Sequence, residues 1–187
     1  MASSAAPASQ IAARDGDRDY LIVDEVAGEI ILFRNGVPVV RGSVLTGGNP
    51  GDTLAPGSLE RAFTRTPRFE DQITPAGRYT VGMAPGNLFG ITLNVNEIQG
   101  ADWDIAIHKV FLGFPLEHRD TRLASMDGRD KHITFGCIDV SAPVMKRVSA
   151  MLPEDATPVY IVPADERRIE AFFPPLGPGA RVAASGD

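Results

Sequence analysis

The chain has 187 residues, of which 43 % are hydrophobic and 22 % charged, a length and composition that suit one domain with a core of its own. A formal net charge of -6 argues against a general nucleic-acid binder, and no apolar run reaches the ~20 residues of a membrane-spanning helix. With a single cysteine, Cys137, an internal disulfide is excluded. Residues 1–19 are rich in Ala, Ser and Asp and read as a flexible N-terminal segment. They lack an apolar h-region and a basic n-region, so either a secretory signal has been removed or the protein is cytoplasmic. Tyr20–Asp24 and Glu29–Arg34 are short β-type runs, and Asn35-Gly36 is a strong hairpin signal leading into a strand over Val37–Val44. Pro38 places that strand at an edge or lies among its first residues. Leu45–Asp52 is a glycine-rich loop, read as a plain turn or as a wall of a cleft. Thr53–Gln72 is polar and aperiodic, carries Arg61, Arg65 and Arg68, and reads as a solvated flap or a substrate-contacting one.

Further strands are expected over Ile73–Val81, Phe89–Val95 and Asp104–Ile107, which are rich in Ile, Val, Thr and Tyr. Lys109–Lys131 is a second long loop that contains Phe111, Phe114, Leu116 and Leu123 with charges among them, a mixture that suits a lid. Ser141 is a good N-cap, Pro143 fits a first helical turn, and Val144–Leu152 presents Val144, Val148, Met151 and Leu152 on one face. Thr157–Val162 is a last strand, Glu166–Phe172 a helical turn, and the Pro/Gly/Ala-rich end from Pro174 a disordered tail. One domain over residues 20–163 is thus expected, with a C-terminal extension over 164–187.

The chemistry concentrates in His132–Val140. Cys137 follows Gly136 between apolar β-formers and precedes the helix start, and a strand-to-helix corner presents a nucleophile well. The ordinary fate of a lone cysteine is a small buried hydrophobe. Free thiols titrate near pH ~8.5, so attack requires a neighbour to take the proton. Of three histidines, His108 ends the apolar run Ile105-Ala106-Ile107, whereas His118 and His132 lie among loop charges and are expected to be solvated. His132 remains an alternative base if its loop folds back. Gly136 and Cys137 supply backbone N–H groups for an oxyanion. There is no zinc-type Cys/His spacing and no phosphate-cradling glycine loop, so no metal or cofactor is implied.

Ile107-His108, a loop, then Thr134-Phe135-Gly136-Cys137-Ile138 resembles the signature of the L,D-transpeptidase catalytic domain (YkuD-type) family. Tyr20–Asp24 through Asn35-Gly36 is similar to that family's opening hairpin. Thr46-Gly47-Gly48 is similar to its strand-end glycines, and Thr74-Pro75-Ala76-Gly77-Arg78-Tyr79-Thr80-Val81 to its Thr-Pro turn. The features occur in the family's order from Tyr20 to Val162. The resemblance implies a mostly β fold, a curved mixed sheet or sandwich with one or two helices packed on it. It implies Cys137 as nucleophile and His108 as base, with Phe135, Thr134, Arg122 and Lys109 facing substrate. It also implies a monomer at the periplasm or cell envelope that acts on peptidoglycan stem peptides and is acylated by carbapenem-type β-lactams. The outcome would be 3–3 cross-linking through a thioester. Hydrolysis as an L,D-carboxypeptidase, a non-catalytic wall-binding module, and a thiol hydrolase of unrelated substrates are the other readings.

Departures from the family pattern bear on specificity. Phe135 stands where a histidine usually precedes Gly-Cys, Lys109 where a glycine follows the base, and Asp139 where many members carry arginine. Arg119, Arg122, Arg129 and Lys131 are candidates to replace that arginine, although each also reads as part of a solvated charged face. The group that orients His108 is left unassigned.

Overall fold

The computed structural model describes residues 4–58, 68–87, 89–98, 105–152 and 156–175. Among these, the strands are β1 (Tyr20–Asp24), β2 (Glu29–Arg34), β3 (Val37–Gly47), β4 (Gly77–Asn87), β5 (Gly90–Asn96), β6 (Ile105–Lys109), β7 (His132–Thr134), β8 (Ile138–Val140) and β9 (Thr157–Val162). They form one sheet in the order β2-β1-β9-β4-β5-β6-β8-β3-β7, and β2 also pairs with β3. The sheet therefore closes on itself like a barrel, with β7 as an appendage on β3. Parallel pairs (β1 with β9, β6 with β8, β3 with β7) make it mixed, as the expected curved, mostly β fold requires.

The β2–β3 hairpin turns on Asn35 and Gly36 at φ 50° and 72°, both positive as a type I′ turn demands. β1 is buried on both faces, which explains its unbroken apolar run. Leu21 and Val23 join the larger core with Leu32, Leu93, Ile107, Ile138 and Val159. Helix α3 (Ala142–Met151) adds Met145 and Val148 to that core, and Ser141 caps it by accepting the Val144 N–H at 3.4 Å.

Tyr20 and Ile22 belong to a second cluster with Ile31, Tyr160 and Val162. Helix α1 (Ala6–Asp15) covers that cluster with Ala8, Ile11 and Ala12, and α4 (Ile169–Phe172) and the following Phe173 complete it. Within the stretch expected to be flexible, Ala6–Asp15 is thus a docked helix. Its Ala-rich sequence is a good helix former, and the apolar outer face of β1, β2 and β9 needs a cover. Helix α2 (Arg119–Ala124) lies within the 109–131 loop, between short 3-10 turns at Pro115–Glu117 and Gly128–Lys131. Of the other long segment, residues 59–67 with Arg61 and Arg65 lie outside the described residues, as do residues 176–187 of the expected tail.

Candidate active site

Cys137 does not sit at a strand-to-helix corner. It occupies the turn between β7 and β8, and the helix begins only after β8. Two threonines pin this turn. The Thr134 hydroxyl accepts the Gly136 N–H at 3.1 Å and donates to the Cys137 carbonyl at 2.5 Å. The Thr74 hydroxyl, from the Thr-Pro turn, accepts the Gly47 N–H at 2.9 Å and donates to the Gly136 carbonyl at 2.8 Å. Gly136 has φ +115°, and a Cβ there would lie 2.7 Å from the Ile73 carbonyl oxygen, so backbone conformation and space both require glycine. The N–H of Gly136, one of the two expected oxyanion donors, is engaged by Thr134 in this structure. The Cys137 N–H is the turn's candidate for that role.

His108 is the penultimate residue of β6 and is buried. β6 runs parallel to β8 with His108 in register with Asp139. Cys137 and Asp139 are two apart on an extended chain, so their side chains share a face. The topology thereby gathers a thiol, an imidazole and a carboxylate. His108 Nδ1 lies 2.9 Å from the Lys109 carbonyl oxygen and 3.3 Å from Asp139 Oδ1. A hydrogen on Nδ1 donates to that carbonyl, which leaves Nε2 as the proton acceptor. Asp139 Oδ2 accepts from Arg119 Nη1 at 2.8 Å, and Arg119 Nε donates to Glu117 at 2.6 Å.

Aromatic rings enclose the site. Phe89 stacks on the His108 ring at 4.3 Å between centroids, Phe111 meets Phe89 edge-on at 5.7 Å, and Phe114 meets Phe111 at 5.5 Å. The Arg119 guanidinium lies over the Phe114 ring. A cavity of about 120 Å³ is lined by these three phenylalanines and Phe135, with Cys137, His108 and Asp139 also in its wall. Two larger hollows, of about 270 and 390 Å³, are lined by neither Cys137 nor His108.

Cys137 retains some exposure, yet burial pushes its thiol up to about 11; the Ala106 N–H and Arg119 oppose this and Asp139 adds to it. Burial thus disfavours the thiolate at rest, so attack by this sulfur requires a neighbour to take its proton. Burial also raises Asp139, opposed by His108, Arg119 and the Phe111 N–H.

The other residues expected in the site divide. Phe135 lines the cavity, whereas the buried Thr134 acts through its hydroxyl on the turn. Lys109 is exposed and contributes its carbonyl rather than its side chain. Arg122 does not face the cavity; it donates to the carbonyls of Glu117 and Asp130, at 3.0 and 2.9 Å, and ties the 109–131 loop together. Arg129 pairs with Asp127 at the surface, and the buried Lys131 donates to the Ser43 hydroxyl and the Leu123 carbonyl. Of the four candidate cations, only Arg119 reaches the site. His118 is exposed, as expected. His132 is half-buried rather than solvated: its Nδ1 lies 3.1 Å from the Gly47 carbonyl oxygen and 3.2 Å from the Thr46 hydroxyl. Burial lowers its pKa, and it does not line the cavity. Sequence reasoning missed the roles of Asp139 and Phe89. The two-residue spacing from Cys137 was the signal available for Asp139.

Among described residues, no helix is long and apolar enough to cross a membrane, and no three His, Cys, Asp or Glu side chains cluster as metal ligands. No curated protein matches the chain. Among solved structures, the NMR structure of the catalytic domain of the Enterococcus faecium L,D-transpeptidase is 19 % identical. It aligns over 76 % of this chain and 95 % of its own, with a TM-score of 0.44. A mutant of the longer E. faecium L,D-transpeptidase is 14 % identical over 77 % of this chain and 49 % of its own, TM-score 0.47. An L,D-transpeptidase from Mycobacterium tuberculosis is 13 % identical over 77 % and 57 %, TM-score 0.48. The chain thus spans about half the length of these two longer proteins. The family model described as the L,D-transpeptidase catalytic domain (YkuD) matches residues 18–161, more than half of the sequence, and the chain belongs to that family.

Proposed function

We propose that the protein is a cysteine acyltransferase acting on peptidoglycan stem peptides. The observation that supports this most directly is the common cavity of Cys137, His108 and Asp139 in a chain of this family. Sγ of Cys137 attacks the carbonyl of the third stem residue. As the S–C bond forms, His108 takes the thiol proton on Nε2, and the Cys137 N–H donates to the developing oxyanion. Collapse breaks the C–N bond to the terminal D-alanine, whose amine receives the proton from His108, and a thioester remains. The amine of a second stem then attacks the thioester, His108 takes its proton and returns it to the departing sulfur, and a 3–3 cross-link is made. Water in place of the amine gives L,D-carboxypeptidase hydrolysis at the same residues.

On this reading the protein works in the cell envelope. A carbapenem carries a strained amide carbonyl that can replace the donor, so stable acylation of Cys137 is expected. The test is incubation of the purified protein with muropeptides and weighing of the products. Loss of D-alanine with dimer formation supports transpeptidation, and loss without dimers supports hydrolysis. Cys137→Ser should abolish either reaction while the protein keeps its melting temperature within a few degrees. Muropeptides bound but unchanged by the wild type would mean a wall-binding module, and turnover retained by C137S would refute the mechanism.

A further inference from the structure

Asp139 is fully buried, and its two oxygens are treated differently. Oδ2 accepts from Arg119. Oδ1 lies 3.3 Å from His108 Nδ1 but makes no hydrogen bond among the described residues, because Nδ1 donates to the Lys109 carbonyl instead. A buried acceptor left unsatisfied costs stability at rest. That cost is offset when His108 takes the thiol proton and its ring becomes an imidazolium, with a carboxylate oxygen already beside it. An interaction that strengthens only as charge develops lowers the barrier rather than the ground state.

The arrangement works only while Asp139 is ionised, and a carboxylate so buried is kept charged by its neighbours. The charged and titratable groups around it are His108 from β6, Cys137 from the turn before β8, Arg119 from α2, and Glu117 from the turn before α2. Arg119 alone is a permanent cation. It and the Phe111 N–H that also faces Asp139 both belong to the 109–131 loop.

Resting on the acyl-transfer reading above, we propose that Asp139 is a positioning residue for the His108 base and that Arg119, carried by the loop covering the site, holds Asp139 in its charged form. Asp139 takes no proton in the cycle; the thiol proton resides on His108 Nε2.

The test is the rate of iodoacetamide alkylation of Cys137 from pH 5 to 11, followed by intact mass. In the wild type, the profile should show a neutral limb due to His108 and an alkaline limb due to direct ionisation of the thiol. His108→Ala should remove only the neutral limb. Asp139→Asn should lower the neutral limb at least ~10-fold, less than the full ~10²–10⁴-fold of a general base because Lys109 still fixes the tautomer, and leave the alkaline limb in place. Arg119→Gln should behave like D139N, the double variant should be no slower than either single one, and Arg119→Lys should recover part of the loss. If R119Q does not fold, R119K and D139N decide: a slow D139N with a faster R119K supports the proposal. Wild-type neutral limbs in D139N and R119Q, with H108A slow, overturn it alone. A parallel fall of both limbs also overturns it, since that is loss of structure. A wild-type neutral limb in H108A would instead refute the Cys–His reading itself.

Discussion

Glu25 shows how a single buried carboxyl couples this fold to pH. Burial pushes it well above the usual carboxylate range, with the Thr46 hydroxyl opposing and the nearby Asp52 and Asp24 adding to the rise. A folded-state pKa above the unfolded one means that the native protein binds the extra proton, so this contribution is complete below the unfolded pKa and is lost as pH rises. Glu25→Gln keeps the shape without the titration. Urea denaturation should show E25Q and wild type separating by up to ~1.4 kcal/mol per pH unit above about pH 4.5, in favour of the variant. A constant gap from pH 4 to 8 would contradict the assignment. Cys137 and His108 stand out by type and setting, because one is the sole cysteine and the other closes an apolar run. Asp139 does not, since its meaning depends on the parallel register that sets it opposite His108. Arg122 and Arg119 are indistinguishable on paper; only the fold of the intervening loop sends one to backbone carbonyls and the other to the buried carboxylate.

Elements were legible where a local pattern decides them. The Asn35-Gly36 hairpin and the Ser141 cap are fixed by backbone chemistry at the turn itself. Helix α1 was not, because its reason for docking lies in the outer faces of β1, β2 and β9, which are distant in sequence. Strand β4 begins at Gly77 rather than at Ile73, since Thr74 serves the Gly47 and Gly136 backbones instead of a ladder. The weight that α1 carries can be measured. Ile11 is 6 % exposed in the second cluster, so Ile11→Ala should cost about 2 kcal/mol or more and lower the melting temperature accordingly. A variant as stable as wild type would show that the helix packs without contributing.

At the scale of the molecule, closure of β2 onto β3 joins the ends of the ladder, and the cysteine turn hangs between two short strands that both depend on β3. Cys137 is therefore held by the barrel as a whole rather than by one loop. The environment of its sulfur also governs how readily it is oxidised. Peroxide oxidises thiolates, not thiols, and a sulfur whose pKa is pushed up to about 11 offers almost no thiolate at neutral pH. With no second cysteine in the chain to form a protective disulfide, a lone thiolate would be driven toward sulfinic acid in an oxidising compartment. Hydrogen peroxide at pH 7 should thus convert Cys137 to sulfenic acid more slowly than it does free cysteine, as read by intact mass, and faster conversion would mean that the sulfur rests as an anion. On the proposed acyl-transfer mechanism, the burial that disfavours the Cys137 thiolate would also keep its sulfur reduced between turnovers.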